Sequence, residues 1–207
     1  MNENIVLLEC ENFPCIAWYQ MFLNNENIQL EQHEYFVRKS LRNRAVIAGP
    51  NGLVTLSIPL KGGRNQKNIM QDIEISYDEN WQTVHWKTIE SCYRRSPYFE
   101  YYVDEIKRLF EKKHHFLIDY NVQCLQTINQ LLHVKKELVL TEKYQKTPSD
   151  TYIDARNIFD ENKDIHLPSY IQVFQDRIGF KSNLSILDML FCDGKMLVEK
   201  LRKQITQ

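Results

Sequence analysis

The chain has 207 residues, with 26 Lys and Arg against 27 Asp and Glu and a formal net charge of −1. That balance supplies no bulk field to draw the protein onto nucleic acid or an anionic membrane, so neither partner is expected. Aromatic residues at 12% exclude a disordered chain, six Gly and six Pro exclude low-complexity sequence, and no apolar run approaches the length of a membrane span.

Ile5–Leu8 reads as a short strand, and Pro14 suits the first turn of a helix over about 15–23, with Ile16, Tyr19 and Leu23 on one face. Ile28–Leu30 is a second strand. Ala45–Ala48 and Leu53–Leu60 flank Gly49-Pro50-Asn51-Gly52, a strong hairpin signal. Lys61–Asn68 is a loop whose Lys61, Arg64 and Lys67 suit either an anion or plain solvent, and Ile69–Ser76 reads as another strand. Trp81, Val84, His85, Thr88, Ile89, Cys92 and Tyr93 then recur at three and four, the period of an amphipathic helix. Ser96-Pro97 reads as the start of a helix reaching about Lys113, with His114-His115 as partners of its C-terminal dipole. A third helix spans about 121–132, and Leu138–Thr141 looks like a lone strand. The stretch 145–168 is polar and aperiodic, a long loop or mobile insert, and 184–190 and 195–204 are closing helices.

The five cysteines form no C-x-x-C pair, and the first residues lack the basic region of a signal peptide. Reduced thiols in a cytoplasmic protein are the expectation. Cys92 follows His85 by seven residues, about 10 Å along a helix, which is too far for a thiol–imidazole pair. No metal-binding, Walker A or dinucleotide motif occurs, and neither metal nor cofactor is expected. Two polar groups stand out among apolar neighbours. His85 lies beside Trp81 and Ile89, either as a satisfied core histidine or as a group in contact with ligand. Arg42-Asn43-Arg44 is either an anion fork or a solvated strand entry.

These positions also carry a family resemblance. Glu9-Cys10-Glu11-Asn12-Phe13-Pro14 through Tyr19 resembles the Q-P-x-x-F-P-x-x-G-Y-F opening of WbqC-like proteins, with Glu9-Cys10 in place of Gln-Pro. Arg42-Asn43-Arg44 resembles that family's W-x-N-R segment, and Leu56–Leu60 its L-T-I-P strand. The spaced set Trp81, His85, Ile89, Tyr93, Ser96-Pro97 and Phe99 is similar to its paired helices. Tyr170-x-Gln172-x-Phe174 and Leu184–Gly194 resemble its last blocks.

The resemblance implies a role in O-antigen or other surface-polysaccharide synthesis. The expected fold is α/β, with a small mixed N-terminal sheet (1–78) and a helical second half (79–207) in a single compact unit. The expected function is group transfer on an activated sugar or small anionic metabolite, with a non-catalytic binding or assembly protein as the competing class. In the enzyme, His85 would be the acid–base group, Arg42 and Arg44 would bind the anion and Asn43 would orient it. Tyr35, Tyr93 and Gln172 would shape one shared pocket. Oligomeric state is not legible.

Overall fold

In the computed structural model, which describes residues 4–62, 68–159 and 167–203, the first apolar run forms β1 (Ile5–Glu9). Alternation sends Val6 and Leu8 into the main core and turns Leu7 and Glu9 to the opposite face, and all four are buried. A strand covered on both faces is continuously apolar, which is how it reads. α1 (Ile16–Asn24) then returns the chain to β2 (Ile28–Glu31), parallel to β1 with Glu9 beside Glu31.

Two later strands complete this sheet. β5 (Val139–Leu140) pairs with β2, and β6 (Tyr152–Asp154) pairs with β1, giving a four-stranded parallel sheet in the order β5-β2-β1-β6. The strand expected to stand alone at 138–141 therefore has a partner. The polar stretch expected as loop or insert contributes an edge strand, anchored by Ile5 N to Thr151 O and by Ala155 N to Leu7 O. Residues 160–166 of that stretch lie outside the described residues.

Between these strands come the hairpin β3 (Arg44–Gly49) and β4 (Gly52–Ser57), antiparallel and closed by Pro50-Asn51. Gly52 has φ 137°, a region open to glycine and strained for other residues. Parallel and antiparallel pairing thus both occur, as expected of the α/β class, divided between the four-stranded sheet and the hairpin. Ile69–Ser76 corrects the expectation of a strand. It is one 3-10 turn at Met70–Asp72 with single bridges at Ile69, Glu74 and Ile75, because Met70, Ile73 and Ile75 all turn inward. Arg64 and Lys67 of the preceding loop lie outside the described residues. Lys61 forms an exposed pair with Glu74 at 2.8 Å.

α2 (Trp81–Tyr93), α3 (Phe99–Leu109) and α4 (Leu117–Leu131) follow. The buried stripe of α2 holds at Trp81, His85, Ile89, Cys92 and Tyr93, whereas Val84 is 60% exposed. Ser96 does not cap α3. Its hydroxyl donates to Tyr93 O and tightens the turn after α2. Because α3 stops at Leu109, His114 and His115 lie beyond it: His115 is 3.6 Å from Glu74, and the His114 ring meets Tyr120 edge-on.

A short α5 (Gln175–Ile178) precedes α6 (Ile186–Asp193) and α7 (Met196–Lys203). Ser185 caps α6 by accepting from Leu187 N at 3.3 Å. Both closing helices pack on α1, so Ala17, Trp18 and Phe22 are buried along with the expected face. One apolar cluster extends from Val6 to Leu201. Among the described residues no helix is long and apolar enough to cross a membrane.

Candidate functional site

The parallel strands deliver polar side chains to one edge. β1 ends on Glu9, β2 on Glu31 and β6 on Asp154, and Thr141 follows β5. The chain leaves β1 for β2 on one side and comes back as β6 on the other, so the strand order reverses between β1 and β6. Open parallel sheets bind ligands at this point, outside the carboxyl ends of the strands.

Glu9 and Glu31 are neighbours on the same face of that edge, yet their surroundings differ. Glu31 is saturated. Its Oε1 accepts from His33 N at 2.7 Å and from the Thr141 hydroxyl at 2.9 Å, and its Oε2 lies 3.2 Å from Arg156. Arg156 also pairs with Asp154 at 2.7 Å and lies over the Tyr144 ring. Glu9 is only half satisfied: Oε1 accepts from Asn157 N at 3.0 Å, while Oε2 is buried with no partner among the described residues. Burial raises the Glu9 carboxyl from 4.5 to about 7, with Arg42 pulling the other way.

Glu11 repeats the pattern. Its Oε2 accepts from Cys15 N at 3.0 Å, its Oε1 is unpaired, and burial followed by the charge of Glu9 raises its carboxyl well above the ordinary range. A carboxyl poised near neutrality beside an ion-paired one is an arrangement that separates proton-donating from proton-accepting roles.

Arg42 closes the group from the side. Its Nε donates to Glu34 at 2.6 Å, its Nη2 donates to Asn157 Oδ1 at 2.9 Å, and its carbonyl accepts from Asn121 at 2.8 Å. Burial works against the Arg42 charge, but Glu34, Glu9 and Glu11 outweigh it and raise its pKa. Asn157 is exposed and left-handed at φ 60°, a conformation Asn tolerates. It holds Glu9 through its backbone and Arg42 through its side chain, and so ties the two together.

The other candidates from the sequence fall in separate places. Asn43 donates to Ile58 O at 3.0 Å, Arg44 is paired in register with Ser57, and His85 hydrogen-bonds the Ser57 backbone, so these three gather around the end of β4. His85 is wedged 5.1 Å from the Trp81 ring and 6.5 Å from Phe110, and burial lowers its pKa from 6.5 to about 4. The imidazole is therefore neutral at pH 7. Arg44 lines a narrow cavity of about 40 Å³ with Phe13, Cys15 and Asn183, a wall His85 does not share. Its Nε has no partner among the described residues.

Tyr93 and Gln172 meet at Asp188 instead. Tyr93 and Tyr170 each donate to the Asp188 carboxylate at 2.6 Å, and Gln172 donates at 3.1 Å. Burial raises the Asp188 pKa against the pull of these three donors. Tyr35 is 63% exposed and bridges to Ile69.

Glu9, Glu11, Glu34, Asn157 and Asp188 were not picked out as site residues in the sequence analysis. The available signal was the placement of Glu9 and Glu31 directly after apolar strands, where a carboxylate lands on the sheet edge. The five cysteines are free and buried, and burial raises all five thiols. Among family profiles, that of the WbqC-like protein family matches residues 10–166. No curated protein and no solved structure matches the chain.

Proposed function

Because the chain belongs to the WbqC-like protein family, we propose that it is a cytosolic group transferase acting on an activated sugar or a small anionic metabolite in surface-polysaccharide synthesis, with Glu9 moving the proton. The observation that carries this proposal is the pair of buried, unpartnered carboxyl oxygens, Glu9 Oε2 and Glu11 Oε1, at the reversal point of the sheet. A carboxyl with a pKa of about 7 is half ionised at neutral pH, so it both takes a proton from a hydroxyl and returns one. Glu11, whose carboxyl is pushed up by burial and by the charge of Glu9, turns its unpaired Oε1 to the substrate. Arg44, with its unpaired Nε, lines the cavity that holds Cys15, whose N–H is bound by Glu11, and is the arginine of the Arg42-Asn43-Arg44 segment left to meet an anionic group, since Arg42 is held by Glu34. Arg42 and Asn157 position Glu9, and His85 packs the end of β4.

The test is a panel of nucleotide sugars and sugar phosphates, followed for conversion by phosphorus NMR. The expected result is turnover of at least one compound, with Glu9→Gln lowering the rate by about 10²–10⁴-fold while binding persists. A second reading, a binding or assembly protein that performs no chemistry, draws on the saturated states of Arg42, Asp188 and Glu31. Binding without conversion, insensitive to Glu9→Gln, would establish that reading and overturn the transferase.

A further inference from the structure

A wide groove lies at the far end of α6 from the carboxyl group. Ser185, at the start of α6, bridges to Cys15, whose N–H is held by Glu11, whereas Cys192 and Asp193 at its end line a groove of about 1160 Å³. The eight residues of α6 put about 12 Å between the two places. One wall of the groove is the α2–α3 turn with Arg95 and Tyr98, and the other is the Tyr170–Phe180 segment with Arg177. A trough of about 420 Å³ that includes Lys87 and Arg94 continues it past Val173 and Phe174.

Three features define what fits. Arg94, Arg95 and Arg177 are exposed and their guanidiniums form no ion pair or hydrogen bond among the described residues, unlike the Lys200 ammonium, which is bound to Asp193 at 2.7 Å. Among the described residues lining the groove and trough, unpaired cations (Lys87, Arg94, Arg95, Arg177) outnumber unpaired carboxylates (Glu90, Asp176), in a chain whose overall charge is −1. Aromatic rings line the same groove: Phe180 is 41% exposed and braced edge-on by Tyr170 at 5.6 Å, and the Tyr98 ring packs against Gly194. Guanidiniums from two walls suit an anion presenting several oxygens, and the rings suit a flat partner. The volume exceeds the roughly 300–1000 Å³ of ordinary small-ligand sites and has room for both parts.

We propose that this groove binds a nucleoside diphosphate, its phosphates between Arg95 and Arg177 and its base against Phe180 and Tyr98. The proposal is independent of the chemistry assigned to Glu9, because it concerns the other end of α6. Neither guanidinium forms an ion pair or hydrogen bond among the described residues, so both can be neutralised with the fold retained.

Isothermal titration with UDP and ADP tests the proposal, with uridine and inorganic pyrophosphate as partial ligands. The expected result is saturable binding of UDP or ADP with Kd below about 1 mM. Uridine and pyrophosphate should each bind at least tenfold more weakly, and Arg95→Gln/Arg177→Gln should weaken UDP at least tenfold with an unchanged melting temperature. Phe180→Ala should weaken UDP while leaving pyrophosphate unaffected. Absence of saturable UDP and ADP binding overturns the proposal. So does binding unmoved by the double substitution, or pyrophosphate binding as tightly as UDP, which would make the groove a plain anion site. Loss of UDP binding in Glu9→Gln but not in the arginine variant would move the nucleotide to the sheet edge and also overturn it.

Discussion

At the scale of single residues, Glu9 and His85 make opposite demands on pH. Glu9 has its pKa raised from 4.5 to about 7 by burial, so the folded state binds a proton more tightly than the unfolded chain does. Stability associated with the neutral carboxyl is complete below pH 4.5 and is lost as pH rises through about 7, by about 3 kcal/mol. Glu9→Gln keeps the shape and removes the charge, so this variant should unfold at a higher denaturant concentration than wild type at pH 8 and at a similar one at pH 4.5. Urea melts at the two pH values read it directly. It is also the residue that the family-like opening has as Gln, and a protonated Glu is its nearest isostere.

His85 has its pKa lowered by burial from 6.5 to about 4, so the stability of its neutral ring is present above pH 6.5 and lost as pH falls through about 4. His85→Gln should cost about 1–3 kcal/mol at pH 7, because the Ser57 backbone group and the Trp81 and Phe110 rings lose their partner. Unchanged melting with lost turnover would instead return His85 to catalysis. Neither role was readable in the sequence alone. A carboxylate after a strand reads as solvated until the neighbouring strand is known, and an imidazole on an apolar stripe is the same letter in a core and in a site.

At the scale of elements, legibility followed length and locality. α2, the hairpin and β1 were evident because their apolar period or turn residues repeat within a few positions. β5 and β6 were not evident as a pair. Two and three residues carry no period, and their parallel partners lie more than 100 residues earlier in the chain. α6 was expected as a helix, but not its function as the axis on which Tyr93, Tyr170 and Gln172 converge.

That convergence yields a prediction. In Asp188→Asn the amide NH2 would face a donor, and the three partners would lose a charged acceptor. A loss of about 3 kcal/mol by urea denaturation is expected. The end of α6 yields another. Gly194 has φ 60°, and a Cβ there would lie 2.6 Å from the Tyr98 ring. Gly194→Ala should therefore destabilise the protein by more than the roughly 1 kcal/mol that backbone strain alone imposes, and it should displace Tyr98, seen as a shift of its ring resonances.

At the scale of the whole molecule, the family match and the physical core do not share a boundary. The match ends at residue 166, yet Leu184, Ile186, Leu187, Met189, Leu190, Phe191, Leu197 and Leu201 are all essentially without solvent contact. They pack on α1, on β3 and on the end of α3, elements inside the matched region. Removing eight such side chains forfeits on the order of 10 kcal/mol or more of apolar burial, comparable to the entire net stability of about 5–15 kcal/mol for a domain. It also strips Tyr93 of its acceptor and opens the N-terminus of α1, where Ile16 N donates to Leu184 O and Ala17 N to Asn183.

We therefore propose that 1–207 folds as a single unit and that its closing helices belong to the domain rather than decorate it. A chain ending at residue 166 should give a collapsed proton–nitrogen NMR spectrum and no cooperative melt, whereas one ending at residue 203 should melt as the full chain does. Cooperative unfolding of the shorter chain within a few degrees of the full one would show that the matched region is self-sufficient. The groove at the end of α6 would then be an appendage, and the Asp188 network would not support the fold. The carboxyl edge built by β1, β2, β5 and β6 would stand on its own. The same pair of chains thus locates the mechanical basis of the candidate site without knowledge of the substrate.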